Sequence, residues 1–185
     1  MIRFLIAASL LAGSAFAQGN SQRVVFEPAG AEHKWALNEL NPELPSDWSG
    51  YQYLVFELRA ATPQRFELRI QTTSGVRTLW MHPFPGEWIR TVLPLARVAR
   101  PEQSAVDLAA MSNKPRALSF VSGAHGQGPL DHVQSIGVRM PSPVGEAVLE
   151  LRSVRLSKDD PGDTLLEGRP LVDPFGQWIP AQWPG

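Results

Sequence analysis

The 185-residue chain contains no cysteine. That absence excludes disulfide staples, thiolate metal sites, a cysteine nucleophile and a lipoprotein attachment together. Histidine is scarce, with His33, His82, His125 and His132 the only four. None stands in a His-Glu-x-x-His or comparable spacing, so a transition metal finds no ligand set. No Gly-x-Ser-x-Gly nucleophile elbow occurs either. Neither sign of charge dominates: 17 Lys and Arg stand against 18 Asp and Glu, which argues against a nucleic-acid partner. Long apolar runs are confined to the N-terminus, and no repeat or low-complexity tract is present.

What the chain does have begins with that N-terminal run. Met1 to Ala17 carries one basic residue, Arg3, then an apolar stretch of about ten residues and a small-x-small ending, Ala15-Phe16-Ala17. The pattern predicts a secretory signal cleaved before Gln18, since a membrane anchor needs roughly 20 apolar residues. The protein is therefore expected to be secreted or periplasmic, with no membrane association after cleavage. Loss of Arg3 would leave 16 basic residues against 18 acidic ones, a formal charge of −2. A remaining chain of this size buries roughly 70% of its unfolded surface in a single core without covalent staples.

Between Trp48 and Leu156 the apolar residues recur with a period of two, in short runs punctuated by Gly and Pro. This predicts an all-β fold, a two-sheet antiparallel β-sandwich with at most one or two short helical turns. Leu54, Phe56 and Leu58 alternate with Val55, Glu57 and Arg59. Phe66, Leu68 and Ile70 alternate with Glu67, Arg69 and Gln71, and after Thr73-Ser74-Gly75 the chain returns through Val76 to His82. A two-residue Ser74-Gly75 turn would set Ile70 opposite Leu79 and Leu68 opposite Met81, with all five apolar side chains on one face. The other face would then pair Arg69 with Trp80 and Glu67 with His82, with Gln71 and Thr78 beside them.

Further strands are expected at Arg23 to Glu27, Trp88 to Leu95, Ala117 to Ser122, Val133 to Met140 and Ala147 to Leu156. In the last of these the inward parity changes between Leu149-Leu151 and Val154-Leu156, which predicts a bulge near Arg152-Ser153. Glu102 to Met111 is the helical candidate, and Ser122 to Pro129 is glycine-rich enough to predict an exposed loop. The expected organisation is a signal at 1–17, a sandwich at 18–158 and a linker or docking tail at 159–185.

Two sets of residues carry family resemblances. The string Asp47-Trp-Ser-Gly-Tyr-Gln-Tyr-Leu-Val-Phe-Glu-Leu58, with Pro85-Gly-Glu-Trp-Ile-Arg-Thr-Val-Leu-Pro-Leu95, Val133-Gln-Ser-Ile-Gly-Val138 and Leu149-Glu-Leu-Arg-Ser-Val-Arg-Leu156, resembles the galactose-binding-like jelly roll of many carbohydrate-binding modules. The tail Asp173-Pro-Phe-Gly-Gln177, ending in Trp183-Pro-Gly185, resembles the connector of secreted agarase-type glycoside hydrolases, where an N-terminal sandwich leads into a catalytic barrel. The resemblance implies a non-catalytic accessory module whose partners are a polysaccharide or oligosaccharide and a catalytic domain that would follow the tail.

Sugar recognition needs a flat aromatic face and planar polar groups that bond pairs of hydroxyls. The outer face of the expected hairpin supplies Trp80 as platform, with Glu67, Arg69, Gln71 and His82 around it, joined by Arg139 if the Val133–Met140 strand lies in the same sheet. The competing reading is a face covered by the tail or by the catalytic domain, with Arg69 stacked on Trp80. Trp88 and Trp48 read as core and lid residues. Trp35 reads equally as a cap on the sandwich or as a loop residue at a binding edge. No cofactor is called for, and a structural calcium would have to draw on Glu27, Asp47 and Glu150. Hydrolysis would need two carboxylates roughly 5–9.5 Å apart, and nothing in the sequence marks Glu57 and Glu67 for that role.

Overall fold

A computed structural model describes residues 21–28, 30–99 and 121–162, together with the short strands 165–166 and 169–170. The expected signal, the helical candidate Glu102 to Met111 and the tail from Leu171 onward lie outside the described residues. Among the described residues eleven strands form: β1 (Gln22–Val25), β2 (Ala31–Ala36), β3 (Tyr53–Ala60), β4 (Phe66–Thr72), β5 (Gly75–Met81), β6 (Ile89–Pro94), β7 (Val121–His125), β8 (Val133–Met140), β9 (Val148–Ser157), β10 (Leu165–Leu166) and β11 (Arg169–Pro170). One helical turn, α1 (Leu37–Leu40), follows β2, and a 3₁₀ turn at Leu95–Arg97 follows β6.

The strands make two sheets with antiparallel ladders throughout. One has the order β1-β9-β3-β6, extended by the two-residue strands β10 and β11; the other runs β2-β8-β4-β5-β7. Side chains of one parity from each sheet meet between them. Leu54, Phe56 and Leu58 of β3 face Phe66, Leu68 and Ile70 of β4 and Leu79 and Met81 of β5 across a core in which each is at most 2% exposed. The period-two pattern is thus the sandwich itself, since each alternation puts one residue into the core and the next onto an outer face. Trp48 closes the core completely buried, its indole Nε1–H donating to Pro45 O at 2.8 Å.

The β4–β5 hairpin keeps the expected core face but shifts the expected register by two residues. Thr72 pairs with Gly75, Ile70 with Arg77, Leu68 with Leu79 and Phe66 with Met81, so Thr73 and Ser74 make the turn. The Thr72 hydroxyl decides this: it donates to Gly75 O at 2.9 Å and accepts from Ser74 N–H at 3.2 Å, closing the turn one residue earlier than the glycine alone suggests. A two-residue shift preserves parity, which is why the core survived the misplacement. The cross-strand partners changed: Trp80 lies opposite Glu67, and Arg69 lies opposite Thr78.

Other departures are local. Of the expected strand Ala117 to Ser122, residues 117–120 lie outside the described residues; β7 runs Val121–His125, so part of the predicted Ser122–Pro129 loop is strand, paired with β5 from Thr78 to Met81. Strand β2 was not foreseen. Its alternation of Ala31, His33 and Trp35 inward with Glu32, Lys34 and Ala36 outward is period two, but contains one large apolar residue. Trp35 packs partly buried against the core, which resolves its reading in favour of a cap.

The bulge in β9 falls where the parity change predicts. Val55 pairs with Arg155 and Glu57 with Arg152, leaving one extra residue on β9, and Ser153 adopts φ 55°. Left-handed backbone costs a non-glycine residue roughly 1–2 kcal/mol. The exposed Ser153→Gly variant is therefore expected within about 1 kcal/mol of the parent or more stable, because relief of that cost offsets the greater freedom of the unfolded glycine chain. Ser153→Val, β-branched in the same conformation, should lose about 1–2 kcal/mol in urea unfolding.

Candidate functional site

The outer face of the β2-β8-β4-β5-β7 sheet presents three cross-strand rows. The first runs Glu32, Arg139, Glu67, Trp80, Gly123; the second Lys34, Gly137, Arg69, Thr78, His125; the third Ala36, Ser135, Gln71, Val76. The structure therefore brings Trp80, Glu67, Arg139 and Arg69 into adjacent positions of two rows. Gln71 lies in the third row, four residues along β4 from Glu67, or roughly 13 Å at strand rise, and its amide donates to Thr72 O at 2.9 Å. His82 follows Met81 beyond the end of β5 and is half-buried.

Glu67 is the keystone of the charged set. It is 7% exposed, and Arg139 Nη1 donates to its two carboxylate oxygens at 3.1 and 3.4 Å. Arg69 Nε stands 3.9 Å from Glu67 Oε2, while Arg69 Nη1 donates to Glu32. Arg69 reaches Glu32 by crossing β8 at Gly137, where no side chain blocks the way. A methyl there would come within 2.9 Å of His33 O, so the position admits neither bulk on the outer face nor a looser fit to β2. Two acids and two arginines thus form a chain across three strands with no net charge. Sequence reasoning missed Glu32, because it left 31–36 without a strand; the alternation Glu32-x-Lys34 was the available signal.

The other sheet carries a second aromatic group on its outer face. Trp88, read from the sequence as core, is half-buried beside the start of β6. The Arg152 guanidinium carbon lies 3.8 Å from the centroid of its ring and that of Arg59 4.9 Å away. Arg152 also donates to Glu57 at 2.6 Å and Arg59 to Glu150 at 2.6 Å. A stacked guanidinium on Trp88 stabilises by roughly 0.5–1 kcal/mol and occupies ring surface that a sugar would need.

Glu57 and Glu67 point away from the core on opposite outer faces. Packed sheets are about 10 Å apart, so the two carboxylates cannot flank one glycosidic bond. Among the described residues no three His, Asp or Glu side chains converge; Glu150 is engaged by Arg59, Asp47 accepts from Ser49 N–H at 2.9 Å, and Glu27 is exposed. Those hydrogen bonds from Ser49 hold the Asp47 carboxyl below its ordinary value. Among the described residues no helix is long and apolar enough to cross a membrane.

No protein-family model matches the chain, and no curated protein does. Solved structures do. The chain is similar to a structure of PfGH50B, with a TM-score of 0.54 and 18% identity over 77% of this chain and 21% of that one. It is similar also to an exo-beta-agarase, with a TM-score of 0.53 and 16% identity over 76% of this chain and 20% of that one. At these identities the likeness is one of fold. The chain spans about a fifth of the length of the structures it matches.

His82 gives the site a pH signature. Burial, and secondarily the charge of Arg65, push its pKa below the ordinary 6.5. The unfolded chain then binds the His82 proton more readily than the folded one, so stability is complete above pH 6.5 and declines as pH falls towards the lower folded pKa. In urea unfolding between pH 7.5 and 5, His82→Gln should flatten this decline; a parent whose slope the substitution leaves unchanged would contradict it.

Proposed function

We propose that this chain is a non-catalytic carbohydrate-binding module of an exported, agarase-like glycoside hydrolase, acting through the outer face of the sheet that contains Trp80. One observation carries the reading: a half-buried tryptophan on an outer sheet face stands directly across from a carboxylate that two arginines hold in place. The likeness to about a fifth of an exo-beta-agarase supports it at the level of fold.

On this reading the Trp80 indole receives the C–H face of a sugar ring. Glu67, oriented by Arg139, accepts hydroxyl protons on the lone pairs its arginines leave free, and the guanidinium groups donate to neighbouring hydroxyl oxygens. Preorganisation is the benefit of the internal ion pairs, since the polar groups need not be ordered at the moment of binding. Hydroxyls exchange water for protein partners, so the net gain per hydrogen bond is small. An isolated module should bind with a Kd of roughly millimolar to micromolar, or about −4 to −8 kcal/mol. Tethered to an enzyme, such affinity raises the local concentration of catalyst on the polymer.

A second reading is favoured by the same ion pairs. Glu32, Arg69, Glu67 and Arg139 pair their charges with one another without a ligand, as a face does that packs against another protein surface. The sandwich would then buttress a catalytic barrel, and Trp80 would be a docking residue.

Affinity electrophoresis through gels containing agarose, carrageenan, xylan, β-glucan or no polymer separates the two. Binding predicts retardation in at least one polymer, abolished by Trp80→Ala while the cooperative unfolding transition is retained. No retardation in any polymer, with Trp80→Ala weakening association with a supplied catalytic domain, would establish docking instead.

A further inference from the structure

Strand β5 places an arginine where the alternation calls for a core residue. Arg77 shares its parity with Leu79 and Met81, lies opposite Ile70 and is 4% exposed. Among the described residues no carboxylate pairs with it. Its Nη2 donates to Ser74 Oγ at 2.7 Å, and its Nε is buried without a hydrogen-bond partner. An isolated buried cation costs several kcal/mol unless an anion or a full set of acceptors meets it.

The guanidinium is closely packed and flanked by exposed loop residues. A methyl on Gly128 would fall 2.3 Å from Arg77 Nη2 and 2.9 Å from its Cζ, so the backbone lies directly against the guanidinium there, and a side chain would have to displace it. Ser74, its hydrogen-bond partner among the described residues, is itself exposed in the β4–β5 turn, and Gly126 and Gln127 on the opposite side are exposed as well. The guanidinium thus lies one side chain below the surface, between the 72–75 turn and the 126–128 loop.

Gly128 N–H donates to Val98 O, which brings the Leu95–Arg97 turn to this loop. Arg97 ends that turn, also with a buried Nε lacking a partner, and desolvation lowers its pKa. The acid nearest in sequence to the loop, Asp131, is half exposed and stands 3.4 Å from His132 Nδ1.

We propose that Arg77 is the receptor for an oxyanion, a carboxylate or sulfate group, that enters between the 72–75 turn and the 126–128 loop, with the Ser74 hydroxyl turning from Thr72 Oγ1, 3.0 Å away, to become its second donor. The planar guanidinium matches such a group as an ammonium does not. The site lies at one end of the sandwich, apart from the Trp80 face, and stands whether or not that face binds sugar. If the oxyanion is carried by a sugar, the ligand is an acidic polysaccharide, either a sulfate ester or a uronate.

The test is calorimetric titration of the purified chain at constant ionic strength with sodium sulfate, a hexose 6-sulfate, glucuronate and glucose. Saturable one-to-one binding of at least one oxyanion, with none of glucose, is expected. Arg77→Met should weaken it by about tenfold or more and Ser74→Ala by a few-fold, the scale of charge-assisted and ordinary hydrogen bonds, while Trp80→Ala leaves it unchanged. Binding of the sugar-borne groups at least tenfold tighter than sulfate assigns the site to an acidic polysaccharide; equal affinity assigns it to the free ion. If Arg77→Met does not fold, Arg77→Lys keeps the charge and loses the planar fork, and should bind several-fold more weakly. No saturable binding of any oxyanion, or affinity unchanged in both Ser74→Ala and an arginine variant, overturns the proposal.

Discussion

A carboxylate that is 7% exposed on the outside of a sheet imposes conditions on everything around it. Burial of Glu67 costs several kcal/mol unless cations and donors replace the lost water, so β8 must present Arg139 in the same row and β4 must present Arg69 two residues on. Arg69 in turn needs its own acid, and finds it only by crossing β8 where Gly137 has no side chain. That crossing fixes β2 beside β8 with Glu32 outward. The order β2-β8-β4 is therefore tied together on its outer face by charge as well as inside by apolar packing. Trp80 stands opposite Glu67 in the same row, on the side away from Arg139.

The two outer faces use the same residue types differently. Around Trp88 the guanidinium groups lie on the ring, and the tryptophan is a surface on which Arg152 and Arg59 rest. Around Trp80 the described guanidinium groups are drawn towards Glu67 and Glu32 instead. A tryptophan with a fixed carboxylate beside it is a platform with an acceptor, and one carrying stacked arginines is a closed packing unit. This difference, more than the presence of either aromatic, directs the functional reading to one sheet.

Much of the fold was legible because alternation is a strong signal wherever a sheet is buried on one side. Strand Val133–Met140 was read with its observed bounds, and the parity change in β9 located the bulge at Ser153. The hairpin shows the limit of that signal. Alternation fixes parity but not register, and the register depended on which residue closes the turn, a choice made by the Thr72 hydroxyl that no periodicity records. Strand β2 escaped notice, and the end of β7 was read as loop, because their inward positions include His33 and Ala124, too polar or too small to register as core.

The site was legible in its members and less so in its connections. Glu67, Arg69, Trp80 and Arg139 were picked out together, yet the pairing of Arg69 with Trp80 gave way to Glu67 opposite Trp80 once the register moved. Arg77 was invisible from the sequence, since a basic residue in a strand reads as solvent-facing and only the packing of Gly128 against its guanidinium shows otherwise.

The central claim is that Trp80 is the platform of a binding face. Following the indole N–H resonances of the six tryptophans through a titration with neutral oligosaccharides tests it most directly. The account predicts a saturable shift at Trp80 and at the Nε–H groups of Arg69 and Arg139, with Trp48, Trp35 and Trp88 unmoved. A saturable shift centred on Trp88 or Trp35 with Trp80 silent, or no saturable shift at any indole, would contradict it.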